Sequence, residues 1–97
     1  MHQPRPLGVA VAGLGFGEKV HLPALRACAS TEPVALWHPR RERVEQAAAA
    51  AALPGTDDFQ ALLHDPAVEA VVIATPPAAR FSLAQQALQA GKHLLLE

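Results

Sequence analysis

The chain has one cysteine among its 97 residues, Cys28, so an internal disulfide is excluded and a reducing compartment is the plain expectation. Cys28 falls within a helical pattern and reads as a small buried hydrophobe with no catalytic role. Charge is also scarce, at 18% of residues with a net of −1, and without a basic excess neither nucleic acid nor an anionic membrane is an expected partner. The opening "MHQPRPLG" lacks the charged and then apolar layout of a signal peptide, and the longest apolar stretch is broken by Glu69 and by Pro76-Pro77. A cytoplasmic protein is expected. His2, His21, His38, His64 and His93 show no metal-ligand spacing, so they read as surface or capping residues and no metal is expected. There are no repeats and no linker.

What is present is a hydrophobic fraction of 51%, which indicates one small packed domain with a modest core. "LGVAVA", Leu7 to Ala12, is a compact apolar run that suits a strand buried on both faces. A helical pattern follows from about Phe16 to Ala29, which Pro23 should bend or split. "VALW", Val34 to Trp37, reads as a second strand, and Arg40 to Leu53, with its alanine tract Ala47 to Ala52, reads as a helix stopped by Pro54-Gly55. A third strand is expected near Gly55 to Asp57, although its signal is too weak to see. Asp58 looks like the N-cap of a short helix, Phe59 to His64, which is a better reading of Asp57-Asp58 than an acid/base pair. "EAVVIAT", Glu69 to Thr75, is the clearest strand. A helix from Ser82 to Ala90 with Gly91 as C-cap and a last strand, His93 to Leu96, complete the pattern. Strands alternating with helices predict an α/β fold of the doubly wound, Rossmann type, with a parallel sheet broken off after about the fifth strand.

Three glycines, Gly13, Gly15 and Gly17, stand between the first strand and the first helix. In a doubly wound sheet this turn lies at the carboxyl ends of the strands, where a helix N-terminus offers unpaired N–H groups to a phosphate. Gly13 would permit the tight turn and Gly15 the approach of a pyrophosphate, but the third position of the dinucleotide fingerprint is Glu18. A carboxylate about 4 Å from a phosphate charge would cost about 4 kcal/mol near a protein surface, so Glu18 must point away. Gly17 is then expected to supply the close packing of the missing glycine. The bland alternative is a glycine-rich turn without a ligand.

"AGLGFGEKVHLPAL", "VEAVVIATPP" and "ALQAGKHLLLE" resemble, in order and spacing, the N-terminal domain of the Gfo/Idh/MocA oxidoreductases, the glucose-fructose oxidoreductase and inositol dehydrogenase superfamily. The resemblance implies a Rossmann domain that binds NAD or NADP, followed in the family by a largely β substrate domain acting on sugars, cyclitols or related small hydroxyl and carbonyl compounds. It makes Gly13, Gly15, Phe16 and Gly17 the pyrophosphate turn, and Thr75, Pro76 and Pro77 the loop along the cofactor. Glu97 resembles the glutamate of the family's Glu-Lys-Pro motif, whose lysine takes part in catalysis. Residues 1–97 are thus expected to form an incomplete dinucleotide-binding domain, with the substrate domain outside the chain and no catalytic residue within it. Arg80 stands where many members have histidine, which leaves its role open.

An NAD-selective domain usually carries a carboxylate at the end of the second strand, and this chain has His38 there, followed by Arg40 and Arg41. These residues predict a preference for NADP over NAD, since arginine can bind a 2′-phosphate through paired charge-assisted hydrogen bonds. The alternative is that the "RRER" stretch is a solvated first helical turn with both arginines pointing into solvent. Trp37 ends a strand near the expected adenine position, with core packing favoured over a base contact. The last strand is expected to be an exposed edge able to pair with another copy of the chain. The competing class is a nucleotide-binding or protein-interaction module that never catalyses.

Overall fold

The computed structural model describes residues 5–97; residues 1–4, His2 among them, lie outside the described residues. Five strands form one parallel sheet in the order β3-β2-β1-β4-β5: β1 Leu7–Ala12, β2 Thr31–Trp37, β3 Gly55–Thr56, β4 Ala70–Ile73 and β5 His93–Leu96. The connecting helices are α1 Leu22–Ala27, α2 Arg41–Ala51, α3 Phe59–His64 and α4 Pro77–Gln89. Because helices cover both faces, every second residue of a central strand has its own core. Ala10, Ala12, Trp37, Val71 and Ile73 pack with α3 and α4 through Phe59, Leu62, Leu83 and Ala87. Val11 and Leu36 point the other way, toward Leu22 of α1 and Val44 and Ala47 of α2. A strand buried on both faces has no polar side to display, which is why β1 and β4 read as unbroken apolar runs.

The amino ends of the strands are held by an ion pair. Arg5 donates from Nη1 and Nη2 to the Glu69 carboxylate at 2.8 and 2.9 Å, and the Gly8 amide donates to the same carboxylate at 2.8 Å. The Arg5 hydrogen bond, followed by that from Gly8, holds the Glu69 carboxyl below the usual carboxylate range. Its contribution is therefore present above the ordinary carboxylate pKa and is lost as pH falls through the lowered folded value.

Several element boundaries depart from the sequence reading, each for a local reason. The helix after the glycines is indeed divided: a π-turn, Gly17–His21, precedes α1. The Leu22 amide bonds the Gly17 carbonyl, five residues back. Pro23 has no N–H for an α-type bond and its ring would crowd a carbonyl four residues back, and the wider turn accommodates both. β2 begins at Thr31 rather than Val34 and absorbs Pro33 at an irregularity where its register with β1 shifts between Val9 and Ala10. β4 is shorter than read, Ala70–Ile73. α4 starts at Pro77, not Ser82, because a proline at the first helical position gives up an N–H that would have no partner. Cys28 is exposed rather than buried: α1 ends at Ala27, and the extended backbone of Cys28 takes it off the helix face.

The alanine tract ends α2 in a strained way. Ala52 has φ 57° and ψ 43°, the left-handed conformation that glycine adopts freely and other L-residues adopt at a cost. Ala52→Gly is expected to raise the stability of the chain by about 1 kcal/mol. A thermal melt of the two proteins checks this, and an unchanged or lower midpoint contradicts it.

Candidate cofactor site

β1 leads across one side of the sheet to β2, whereas β4 leads across the other to β5, so the connections diverge between β1 and β4. Such a switch point leaves a crevice beyond the carboxyl ends of the strands. Here it has a volume of about 650 Å³ and is lined by Gly13, Leu14 and Gly15 after β1, by Trp37, His38, Pro39, Arg40 and Arg43 around the end of β2, and by Ala74 to Pro76, Ala78 and Ala79 after β4.

The three glycines do three different things. Gly13 has φ 107°, its amide donates to the Trp37 carbonyl at 2.9 Å, and a Cβ on it would lie 2.5 Å from the Ala74 carbonyl oxygen. The turn is thereby clamped between β2 and β4. Gly15 has φ 80°, and a Cβ there would meet nothing within 4 Å. It presents left-handed backbone to open space. Among the described residues, the Leu14 and Gly15 amides have no backbone carbonyl partner, so the turn retains donors for an anion. Gly17 is buried, and a Cβ on it would stand 2.8 Å from Val11 Cγ1. Close contact between helix and strand is therefore provided one position before Glu18, and Glu18 is not among the residues lining the crevice.

At the end of β2 the Arg40 amide donates to His38 Nδ1 at 3.0 Å, which assigns the ring proton to Nε2. Burial, reinforced by the Arg43 charge, lowers the pKa of His38 below its ordinary value, so the ring is neutral at pH 7. Arg40 and Arg43, three residues apart across the N-terminus of α2, both line the crevice. Arg41 does not; its Nε lies 3.3 Å from Asp57 Oδ2. Arg43 escaped the sequence reading, although the spacing of three from Arg40 was the signal that would have found it.

The other candidates are distributed as follows. Phe16 is 62% exposed at the start of the π-turn and does not line the crevice. Thr75 is buried against it with Oγ1 unpartnered, and Pro76 forms its rim. Pro77 has become the first residue of α4. Glu97 lies at the far end of β5, paired with His21. Trp37 serves the core, its ring edge-on to Phe59 with centroids 5.3 Å apart, while also lining the crevice. Arg80 donates to the Thr75 carbonyl at 3.3 Å from α4. Among the described residues, no three His, Cys, Asp or Glu side chains come together as a metal site, and no helix is long and apolar enough to cross a membrane.

With the geometry in place, the comparisons with known proteins are specific. Residues 7–97 match the family described as an oxidoreductase family with an NAD-binding Rossmann fold. An uncharacterized oxidoreductase of Synechocystis is 41% identical over 92 residues, covering 94% of this chain and 25% of that protein. Galactose 1-dehydrogenase of Pseudomonas fluorescens is 35% identical over 98 residues, covering 96% of this chain and 29% of that protein. Among solved structures, a 3-ketoreductase from Actinomadura kijaniata in complex with NADP and TDP-benzene superposes with a TM-score of 0.86 at 30% identity, over 94% of this chain and 28% of that one. The chain thus spans about a quarter of the length of these relatives. Its five-stranded parallel sheet, its glycine turn and this match over all but the first six residues agree: the chain belongs to the Gfo/Idh/MocA oxidoreductase family and is an NAD-binding Rossmann domain of it.

Proposed function

We propose that the crevice binds NADP in preference to NAD, on behalf of an oxidoreductase that transfers hydride to or from a sugar, cyclitol or related small hydroxyl or carbonyl compound. The observation that carries the reading is the alignment, along one crevice, of an open left-handed glycine at the end of β1 with Arg40 and Arg43 at the end of β2. A dinucleotide fits this arrangement: a side chain at Gly15 would fill the space that the pyrophosphate needs, and no carboxylate lines the crevice to repel a 2′-phosphate. Gly13, Gly15, Phe16 and Gly17 would shape the pyrophosphate turn, while Arg40 and Arg43, with His38 as a neutral donor, would hold the 2′-phosphate. Thr75, Pro76 and Pro77 would border the cofactor at the end of β4, and Glu97 would lie toward its nicotinamide end. Arg41, tied to Asp57, keeps at most a long-range electrostatic share. The 3-ketoreductase that superposes here was solved with NADP, which supports the preference.

The cofactor supplies the hydride acceptor or donor; this chain's residues bind and orient it. Hydride transfer also needs a substrate carbon held against the nicotinamide and a group that moves the hydroxyl proton, and such positioning accounts for about 7–11 kcal/mol of barrier lowering. We place those groups in a substrate domain beyond residues 1–97. The chain alone is expected to bind one NADPH and to show no turnover with a panel of sugars and cyclitols, read by calorimetry and by the nicotinamide absorbance. Failure to bind would remove the site, and turnover would locate a proton-transfer group among residues assigned here to binding or structure.

A further inference from the structure

Two side chains 76 residues apart meet just past the carboxyl end of β5, outside the residues that line the crevice: His21, the last residue of the π-turn, through Nε2, and Glu97 through Oε1. Both ends of this contact are anchored. The π-turn begins at Gly17, which is buried against Val11 of β1, and the Lys19 amide holds the Gly15 carbonyl at 2.8 Å. The Glu97 amide donates to the Ile73 carbonyl at 3.2 Å, continuing the β4-β5 ladder by one bond. A π-turn holds one more residue than a regular helical turn, so it resets the phase of the residues after the glycines, and His21 is where that extra residue ends.

The position of the pair follows from the strand order. If a dinucleotide lies with its 2′-phosphate at Arg40 and Arg43 by β2 and its pyrophosphate at Gly15 by β1, the remaining half must run toward β4 and β5. That is the side of the sheet on which His21 and Glu97 stand. The Glu97 side chain is 34% exposed, so it is reachable, and a carboxylate that accepts one bond from an imidazole keeps acceptor sites for another donor. The donors that half of the ligand offers are ribose hydroxyls and the carboxamide N–H groups.

Building on the dinucleotide reading above, we propose that His21 is a positioning residue: it holds the Glu97 carboxylate in place for the nicotinamide-riboside half of the cofactor and so joins the glycine turn to the end of β5. Ordering an acceptor in advance removes a conformational cost that binding would otherwise bear. The adenosine half gains nothing from the pair.

The test compares NADP with 2′,5′-ADP, which carries the adenosine and 2′-phosphate but no nicotinamide, by calorimetry on the chain and its variants, with thermal melts as the control for folding. His21→Ala is expected to weaken NADP binding about five- to ten-fold and to leave 2′,5′-ADP within about twofold, the size of one partly exposed hydrogen bond. His21→Gln, whose amide N–H can replace Nε2–H, should restore most of the loss. Glu97→Gln combined with His21→Ala should cost no more than the larger single change, because the two act as one unit. Equal losses for both ligands, no loss, failure of glutamine to rescue, or additive effects would each overturn the proposal while leaving the crevice reading intact. If the unaltered chain bound neither ligand, both would fall.

Discussion

Replacing Gly15 with valine is expected to weaken NADPH binding at least about a hundred-fold, equivalent to about 2.7 kcal/mol. The physical reason is twofold. With φ at 80°, any L-side chain at this position incurs about 1–3 kcal/mol of backbone strain. A Cβ there would nevertheless touch nothing within 4 Å, so the protein itself does not resist the substitution sterically. The added atoms occupy only the space proposed for the pyrophosphate. Gly15→Asn separates the two effects, since asparagine tolerates left-handed backbone yet still puts a side chain into the crevice. It should melt close to the unaltered chain and bind NADPH poorly. A folded Gly15→Asn protein that titrated with unchanged affinity would show that the phosphates lie elsewhere.

The second large effect concerns cofactor choice. Arg40→Ala with Arg43→Ala is expected to weaken NADP binding by about a hundred- to ten-thousand-fold and NAD binding little, because two charge-assisted hydrogen-bonding partners of the 2′-phosphate contribute about 1.5–3 kcal/mol each. Arg41→Ala serves as the contrast. Its guanidinium is engaged with Asp57 on the β3-α3 connection, so its removal should change the NADP-to-NAD ratio less than about threefold, in keeping with an exposed ion pair worth less than 1 kcal/mol. Competition titrations of the two cofactors on the three proteins decide the matter. A ratio that collapsed with Arg41→Ala and survived the double variant would reverse the assignment of the arginines.

The elements legible in the sequence are those whose signals are local. β1 and β5 were bounded to the residue by apolar runs between turn-forming neighbours, and α3 by Asp58, whose Oδ1 accepts from the Ala61 amide at 3.2 Å. The family could be read because three blocks of glycine, proline and apolar residues stand in register along one chain. β3 could not be read, since its two residues are a strand only by virtue of Leu36 and Trp37 beside them. Likewise, neither composition nor spacing says that Arg41 turns to Asp57 while Arg43 faces the crevice; the rotation of α2 on the sheet decides that, through the burial of Val44 and Ala47. The substitution of Gly17 for the missing fingerprint glycine was expected from the sequence, but only the 2.8 Å approach to Val11 shows why glycine is required. The meeting of His21 with Glu97 was invisible from the chain alone. Capping, turn and strand preferences act over a few residues and are written into the order of side chains, whereas a crevice made from three separate strand ends exists only once the sheet has closed and set their distances.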